Sequence, residues 1–237
     1  MPIYRNVGGT WSLVKHIYRN VNGVWTKVRR AFRKVNGTWT QYHGDNDFTA
    51  YSLGLLENRL AVANGGLWMN GAQKLGPIRS YSLVAFDKYG NITFQRSYDI
   101  FGEATGGSPT ATPYGSAQFA ADAGALAAGT NFIVVTFDEP ANGAAQPESG
   151  VTNPPISTFV NALVSLGAST AVLNGIQYRG AYVLLGAKGG AKAAEIYAGT
   201  YQTGLGSGGT DSGCLDGAIG ITFNIVNGVI SNVVRTL

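Results

Sequence analysis

The sequence contains few of the residues that metal centres and catalytic triads use. It has one cysteine, Cys214, and two histidines, His16 and His43, among 237 residues. One cysteine excludes an intramolecular disulfide and a cysteine-rich zinc site. Two histidines, both in or beside the repeats described below, argue against a histidine-based metal site and against a Ser-His-Asp triad. We therefore expect no cofactor, no metal and no catalytic residue.

The sequence also has little charge and no long apolar run. Charged residues make up 13% of the chain, whereas glycine occurs 34 times. This composition favours short strands and tight turns over long helices. No 18 consecutive residues are apolar, and the first residues, MPIYRN, are not followed by the apolar segment of a signal peptide. We expect a protein that is made in the cytoplasm and does not insert into a membrane.

Acidic residues are missing from the first segment of the chain. Residues 1–43 contain eight Lys or Arg and no Asp or Glu, whereas the rest contains nine bases and thirteen acids. The same segment repeats with a period of fourteen residues, as IYRNVGGTW at 3–11, IYRNVNGVW at 17–25 and AFRKVNGTW at 31–39. Each copy places Gly-Gly or Asn-Gly between two strand-like runs, which is typical of a β-hairpin. The sequence predicts three hairpins in tandem.

The three hairpins carry tryptophan at equivalent positions, Trp11, Trp25 and Trp39. A fourteen-residue hairpin is too small to bury its own tryptophan, so neighbouring copies, other subunits or a larger partner must cover the row. Basic residues interleaved with aromatics also occur on nucleic-acid surfaces. Because the spacing here is that of strand faces, we favour anchoring to a protein assembly through these tryptophans over binding to nucleic acid.

Beyond the repeats, turn residues and apolar spacing divide the chain into short elements. Acids at Asp45, Asp47 and Glu57 and a weaker alternation predict a linker over 44–59. Further along we predict a hairpin at 60–70 around Asn64-Gly65-Gly66, strands at 79–86 and 91–98, a helix from Ser116 to about 128, a strand at 131–137, a helix from Pro155 to Gly167, and a last hairpin at 219–237 around Asn227-Gly228.

Residues 169–197 hold two short apolar runs, 171–173 and 181–185, which we interpret as buried strands. They lead into the corners QYRG and GAKGG, so Arg179 and Lys188 are expected near the rim of a sheet. Taken alone, each is more typical of a solvated loop cation. The sequence GLGSGG at 204–209 spells a dinucleotide-binding fingerprint, but no helix pattern follows it, and we interpret it as a linker.

Together these patterns predict an α+β fold in four parts. Three hairpin repeats (1–43) and a linker (44–59) precede a mixed β-sheet domain with two main helices (60–203). A Gly-rich linker and a C-terminal β-hairpin (204–237) follow it.

Several short motifs occur in the order and spacing of a known family. They are RSYSLV at 79–84, YDIF at 98–101, TFDE at 136–139, LGAS at 166–169, YRGAYV at 178–183 and GAKGG at 186–190. Over residues 60 to 200 the chain resembles the interleukin-like EMT inducer domain of cytokine-like proteins, also called the GG-type lectin domain. The resemblance implies that Arg79, Asp138 and Arg179 contact a glycan. Guanidinium donors and a carboxylate acceptor suit sugar hydroxyl groups. The alternative is that Asp138 and Arg179 pair with each other to hold the fold.

The N-terminal repeats resemble the short tandem hairpins of tailed-bacteriophage tail and fibre proteins. This resemblance implies a virion component of the tail, assembled in the host cytoplasm, whose partners are other virion proteins. We expect a homo-oligomer that displays the lectin-like domain to host cell-surface glycans. The alternative is a purely structural adaptor or decoration protein. A glycoside hydrolase is not favoured, because Asp138 and Glu139 are neighbours at a strand end and point apart.

Overall fold

The computed structural model describes residues 4–7, 9–13, 18–28, 30–35, 37–44, 46–54, 65–100, 114–138, 156–177, 179–203, 212–215 and 217–237. The statements below concern these residues. The predicted turn at 64–66 lies partly outside them, and the GLGSGG segment lies wholly outside them. Side chains are described for only part of the first 44 residues.

The N-terminal segment forms three antiparallel hairpins, which confirms the interpretation of the repeats. Each hairpin is a separate two-stranded sheet, and its turn contains a glycine with φ near +84°, at Gly9, Gly23 or Gly37. Positive φ at the Asn-Gly pair is the condition for a two-residue hairpin turn. The strands are β1 (Tyr4–Val7) with β2 (Thr10–Leu13), β3 (Tyr18–Val21) with β4 (Val24–Lys27), and β5 (Arg30–Val35) with β6 (Thr38–Gly44).

The remaining large sheet has ten strands, arranged as two halves of five. The ten strands are β7 (Asn46–Gly54), β8 (Gly66–Met69), β9 (Ala72–Leu75), β10 (Ser80–Phe86), β11 (Ile92–Tyr98), β12 (Asn131–Asp138), β13 (Ala181–Ala187), β14 (Lys192–Ala198), β17 (Ala218–Val226) and β18 (Val229–Arg235). The first half has the order β11-β10-β12-β13-β14, and the second half has the order β9-β8-β7-β17-β18. A separate hairpin pairs β15 (Thr200–Thr203) with β16 (Ser212–Leu215).

The two halves join through a short parallel pairing between β12 and β7. Phe137 pairs with Leu53, and Asp138 pairs with Gly54. Over the rest of its length, the same edge of β12 pairs with β13, while β7 pairs with β17 and β8. The sheet therefore splits at this point, and the end of β12 lies where the two halves meet.

Three helices are described in full: α1 (Ser116–Ala125), α2 (Ser157–Ser165) and α3 (Thr170–Leu173). With the two longer helices and the mixed sheet, the predicted α+β class is confirmed. The interpretation of 171–173 as a buried strand is wrong, because these residues lie in the single turn of α3. Its apolar run is short enough to suit either state, and Leu173 is buried in both readings.

Two further predictions differ from the structure. Residues 46–54, predicted to belong to a linker over 44–59, form the core strand β7 with an alternating buried pattern. The hairpin expected around Asn64-Gly65-Gly66 instead turns at Asn70-Gly71, where both residues have positive φ. Gly66 already belongs to β8. The other predicted strands and the C-terminal hairpin, with its Asn227-Gly228 turn, are confirmed.

The core has two apolar layers, one on each face of the first half-sheet. One face packs against the helices, through Tyr81, Phe132 and Tyr182 with Phe119 and Phe159. The other face packs against the second half-sheet, through a cluster of aliphatic and aromatic side chains that includes Val84, Ile133, Val183, Phe48, Ile221 and Phe223. The helices, first half-sheet and second half-sheet thus form three layers, which is a standard way to bury both faces of a sheet.

Candidate functional site

The three residues predicted to bind a glycan lie at one end of the first half-sheet. Arg79 immediately precedes β10, Asp138 is the last residue of β12, and Arg179 precedes β13 by two positions. Ser80 pairs with Phe137 across β10 and β12, which brings Arg79 and Asp138 to the same end of the half-sheet. The structure adds a fourth charged residue there, Asp99, because Tyr98 at the end of β11 pairs with Tyr81.

Arg79 and Asp99 form a two-pronged ion pair. Nε of Arg79 donates to Oδ1 of Asp99 at 3.2 Å, and Nη2 donates to Oδ2 at 2.8 Å. The Asp99 side chain is fully buried, whereas 24% of the Arg79 side chain is exposed. Parallel bonds of this kind fix the plane of a guanidinium as well as its position. The position and orientation of Arg79 at the site are therefore set by Asp99.

Asp138 has an unusual backbone and an unsatisfied side chain. Its φ is +71°, a left-handed conformation that is uncommon outside glycine, although aspartate and asparagine adopt it more often than most other residues. Its Oδ1 atom is buried and has no hydrogen-bond partner among the described residues. Buried carboxylate oxygens normally accept a hydrogen bond, and exceptions call for an explanation. A donor supplied by a ligand would satisfy this oxygen.

Burial raises the pKa of the Asp138 carboxyl above its ordinary value of 3.8. The positive charges of Arg179 and, more weakly, Arg79 act in the opposite direction, whereas the negative charge of Asp99 adds to the rise. Each of the other three charges thus lies close enough to Asp138 to change its protonation. The four residues form one electrostatic cluster, which we call the charged corner (Arg79, Asp99, Asp138 and Arg179).

Arg179 also has a left-handed backbone, with φ of +58°. Two glycines make room for its carbonyl group. A Cβ atom built on Gly54 would lie 1.9 Å from the carbonyl oxygen of Arg179, and one built on Gly217 would lie 3.2 Å from it. The amide of Gly54 donates to the carbonyl of Gly217 at 2.7 Å, which closes the two glycines around this position. Gly180 is equally constrained, because a Cβ there would lie 2.8 Å from Cε2 of Tyr197.

The alternative role for Asp138 and Arg179 is an ion pair that holds the fold. The charge of Arg179 lowers the pKa of Asp138 more than that of Arg79 does, so the two residues do interact. Proximity alone therefore does not separate a structural pair from a ligand site. The buried, unsatisfied Oδ1 atom of Asp138 favours the ligand site, since a purely structural pair would be expected to use both carboxylate oxygens.

Lys188, the other basic residue expected near the rim, lies at the opposite end of the half-sheet. Its Nζ donates to the carbonyl oxygen and the Oγ atom of Ser165, at 3.4 and 3.1 Å, at the end of α2. It takes no part in the charged corner, because β13 separates it from Arg179. It therefore offers a matched control for substitutions of Arg179.

The predicted anchoring tryptophans occupy the same register position in the three hairpins. Trp11 pairs with Asn6, Trp25 with Asn20, and Trp39 with Lys34. The side chains of Trp11 and Trp39 fall outside the described part of the chain. That of Trp25 is 68% exposed. Tyr18, on the opposite strand two residues before Asn20, is 52% exposed, so the second hairpin presents two large aromatic rings to solvent.

Sequence reasoning missed two features of the charged corner. Asp99 lies in a motif that was recognised, but nothing in the motif indicates that its carboxylate holds Arg79. Gly54 was missed because its strand was taken for a linker. The signal that could have found β7 is the alternation of its buried and less buried positions, which the polar side chains of Asn46 and Ser52 at buried positions obscure.

No protein-family model matches the chain, and no curated protein matches it either. Within the described residues, none of the helices has the length and apolar character needed to cross a membrane. The same part of the chain contains no group of three His, Cys, Asp or Glu side chains that could hold a metal ion.

Proposed function

We propose that the protein is a structural component of a tailed-bacteriophage virion, in the tail fibre, tip or another minor part of the tail. Residues 1–43 attach it to other tail proteins, and the α+β domain displays the charged corner to glycans of the host surface. The protein assembles in the host cytoplasm as a homo-oligomer. The observation that carries the glycan role is the proximity of Arg79 and Arg179 to Asp138, whose buried Oδ1 atom has no hydrogen-bond partner in the described part of the chain.

The chemistry of the corner suits a sugar. Two guanidinium groups donate hydrogen bonds, one carboxylate accepts them, and sugar hydroxyl groups do both. Charge-assisted hydrogen bonds are about twice as strong as neutral ones. A single small site still binds weakly, so useful attachment depends on many copies acting together, and an oligomer on a tail supplies them.

The glycan role is tested on a glycan array probed with the full-length protein as its natural oligomer. Arg179→Ala is expected to remove the hits, whereas Lys188→Ala, at the other end of the same strand, is expected to keep them. An array without hits for the wild type, or hits that survive Arg179→Ala, would remove the glycan role. The melting temperature of each variant shows whether a loss of binding reflects a loss of fold.

The attachment role is tested by deleting residues 1–43 from the phage genome. Particles are expected to lack the truncated protein, although it is still made. Truncated protein that enters particles at the normal level would show that the anchor lies elsewhere.

A second candidate function is a structural adaptor without a ligand. The exposed apolar side chains of the second hairpin favour it, because Tyr18, Val21, Val24 and Trp25 are each more than 40% exposed. Large exposed apolar patches commonly mark protein interfaces. Cryo-electron microscopy of the particle separates the two functions, since an adaptor covers the charged corner with a neighbouring subunit and an adhesin leaves it open.

A further inference from the structure

Asp99 is the one member of the charged corner whose carboxylate is fully committed inside the protein. Both of its oxygens accept hydrogen bonds from Arg79, and its side chain has no exposed surface. Its backbone is also fixed, because the amide of Asp99 donates to the carbonyl of Tyr114 at 2.9 Å. Asp99 is thus held on both sides and does not reach the solvent from which a ligand arrives.

Asp138 differs from Asp99 in its exposure and in the hydrogen bonding of its carboxylate. It is partly exposed, and its buried Oδ1 atom has no partner among the described residues. The carboxylates of Asp99 and Asp138 therefore have different roles. Asp99 orients a guanidinium, and Asp138 keeps a buried oxygen that none of the described residues satisfies.

The charges of the corner balance. Two arginines and two aspartates give a net charge near zero, and Asp99 contributes half of the negative charge. A ligand carboxylate would bring a third negative charge beside Asp138, whose ionised form is already disfavoured by burial. A ligand hydroxyl group brings no charge and can donate to Asp138 while it accepts from an arginine.

We infer that Asp99 is a positioning residue that fixes Arg79 and sets the charge balance of the corner, so that the site selects an uncharged, hydroxyl-bearing sugar over a carboxylate-bearing one. This inference rests on the proposed glycan role and adds the chemical class of the sugar. Asp99 acts through Arg79 and does not itself contact the ligand.

The test uses pairs of glycosides that differ only in oxidation of the sixth carbon, such as a glucoside with its glucuronide and a galactoside with its galacturonide. Each pair is displayed on the same multivalent support and titrated with full-length protein. The wild type is expected to bind the neutral member about tenfold or more tightly, which is the effect of one unfavourable charged contact. Binding to neither member of any pair removes the glycan role itself. Equal or tighter binding of the acidic member overturns the inference and leaves the glycan role standing.

Asp99→Asn keeps the shape of the side chain but removes its charge. It is expected to weaken binding of the neutral sugar and to shift the preference towards the acidic one by about tenfold. An unchanged affinity and preference would show that Asp99 has no such role. If Asp99→Asn does not fold, Asp138→Asn removes the same charge from a partly exposed position, and its preference is expected to shift in the same direction. An unchanged preference in that variant overturns the charge-balance argument.

A double-mutant cycle with Arg79→Gln separates positioning from general stability. Because Asp99 acts through Arg79, Asp99→Asn is expected to change sugar affinity in the wild-type background but to have little further effect beside Arg79→Gln. Additive losses of affinity in the two backgrounds would mean that Asp99 acts by another route. The double variant also buries no unpaired charge, so it provides a folded reference for both single variants.

Discussion

Gly54 and Arg179 lie so close together that no side chain fits between them. A Cβ atom on Gly54 would lie 1.9 Å from the Arg179 carbonyl oxygen, well inside van der Waals contact. Gly54 ends β7 in the second half-sheet, whereas Arg179 precedes β13 in the first. A glycine in one half-sheet therefore determines where an arginine of the other can be.

We predict that Gly54→Ala displaces Arg179. The added methyl group forces the backbone apart, so the variant is expected to lose about 1 to 3 kcal/mol of unfolding free energy and its sugar binding. Urea denaturation and the glycan array measure the two effects. Gly76→Ala is the control, because a Cβ there meets nothing within 4 Å. Full sugar binding by Gly54→Ala would show that the position of Arg179 does not matter to the site.

The protonation of Asp138 predicts a dependence of stability on pH. Its pKa is raised in the folded protein, so the protonated carboxyl favours folding. This contribution to the free energy of unfolding is complete below pH 3.8, the ordinary pKa, and is lost as the pH rises through the raised pKa of the folded protein. Asparagine does not ionise, so Asp138→Asn does not lose this stability as the pH rises. The variant is therefore expected to gain stability relative to the wild type between pH 3 and pH 7, as measured by denaturant unfolding at each pH. A difference that does not change with pH would contradict the prediction.

The hydroxyl group of Tyr98 is expected to stabilise the contact between β11 and α1. It donates to Oδ2 of Asp122 at 2.7 Å, and the same carboxylate accepts from Nη1 of Arg96 at 2.8 Å. Burial, together with Asp122, raises the pKa of Tyr98, so the hydroxyl group stays protonated. Tyr98→Phe is expected to cost about 1.5 to 3 kcal/mol, the usual range for a hydrogen bond to a charged group. Tyr51→Phe, at a ring that packs against Trp68, is the control and is expected to cost less.

The second hairpin allows a test of which face meets the tail. Trp25 pairs with Asn20, and Tyr18 lies two residues before Asn20 on the same strand, so these three side chains share one face, whereas Arg19 points to the other. Trp25→Ala is expected to leave the melting temperature unchanged, because the side chain is exposed, but to reduce incorporation into particles severalfold. Quantitative immunoblots of purified phage measure the incorporation. Arg19→Ala is the matched variant of the opposite face, and a larger loss with Arg19→Ala would reverse the assignment of the faces.

The sequence predicts the elements whose signals are local. Asn-Gly turns identified the N-terminal hairpins and the last hairpin, and alternation identified β10, β11 and β12. The prediction failed for β7, because its acid and amide side chains look like those of a loop. Asp47 accepts from Asn224, and Ser52 hydrogen-bonds to Thr136 at 2.8 Å, so polar groups of this strand are satisfied only by residues distant in sequence. No single-sequence pattern reports such partners.

The charged corner was accessible to sequence reasoning only in part. The resemblance indicated Arg79, Asp138 and Arg179, and the structure brings them to one end of the first half-sheet. Asp99 and the two glycines around Arg179 follow from pairing between strands, and that pairing depends on the register of the whole sheet. Composition gave no indication of the left-handed backbone at Asp138 and Arg179, because aspartate adopts this conformation only occasionally and arginine has no preference for it.

Only residue 45 separates the last N-terminal hairpin strand, β6, from β7. Tension on the repeats is therefore transmitted directly to β7, a strand of the core. β7 pairs with β17 over eight residues and with β8 over four, and the hydrogen bonds of these antiparallel pairs run perpendicular to the strand, so tension along β7 acts across them. Whatever the hairpins bind, tension on residues 1–43 reaches a core strand whose far end, at Gly54, lies beside Arg179.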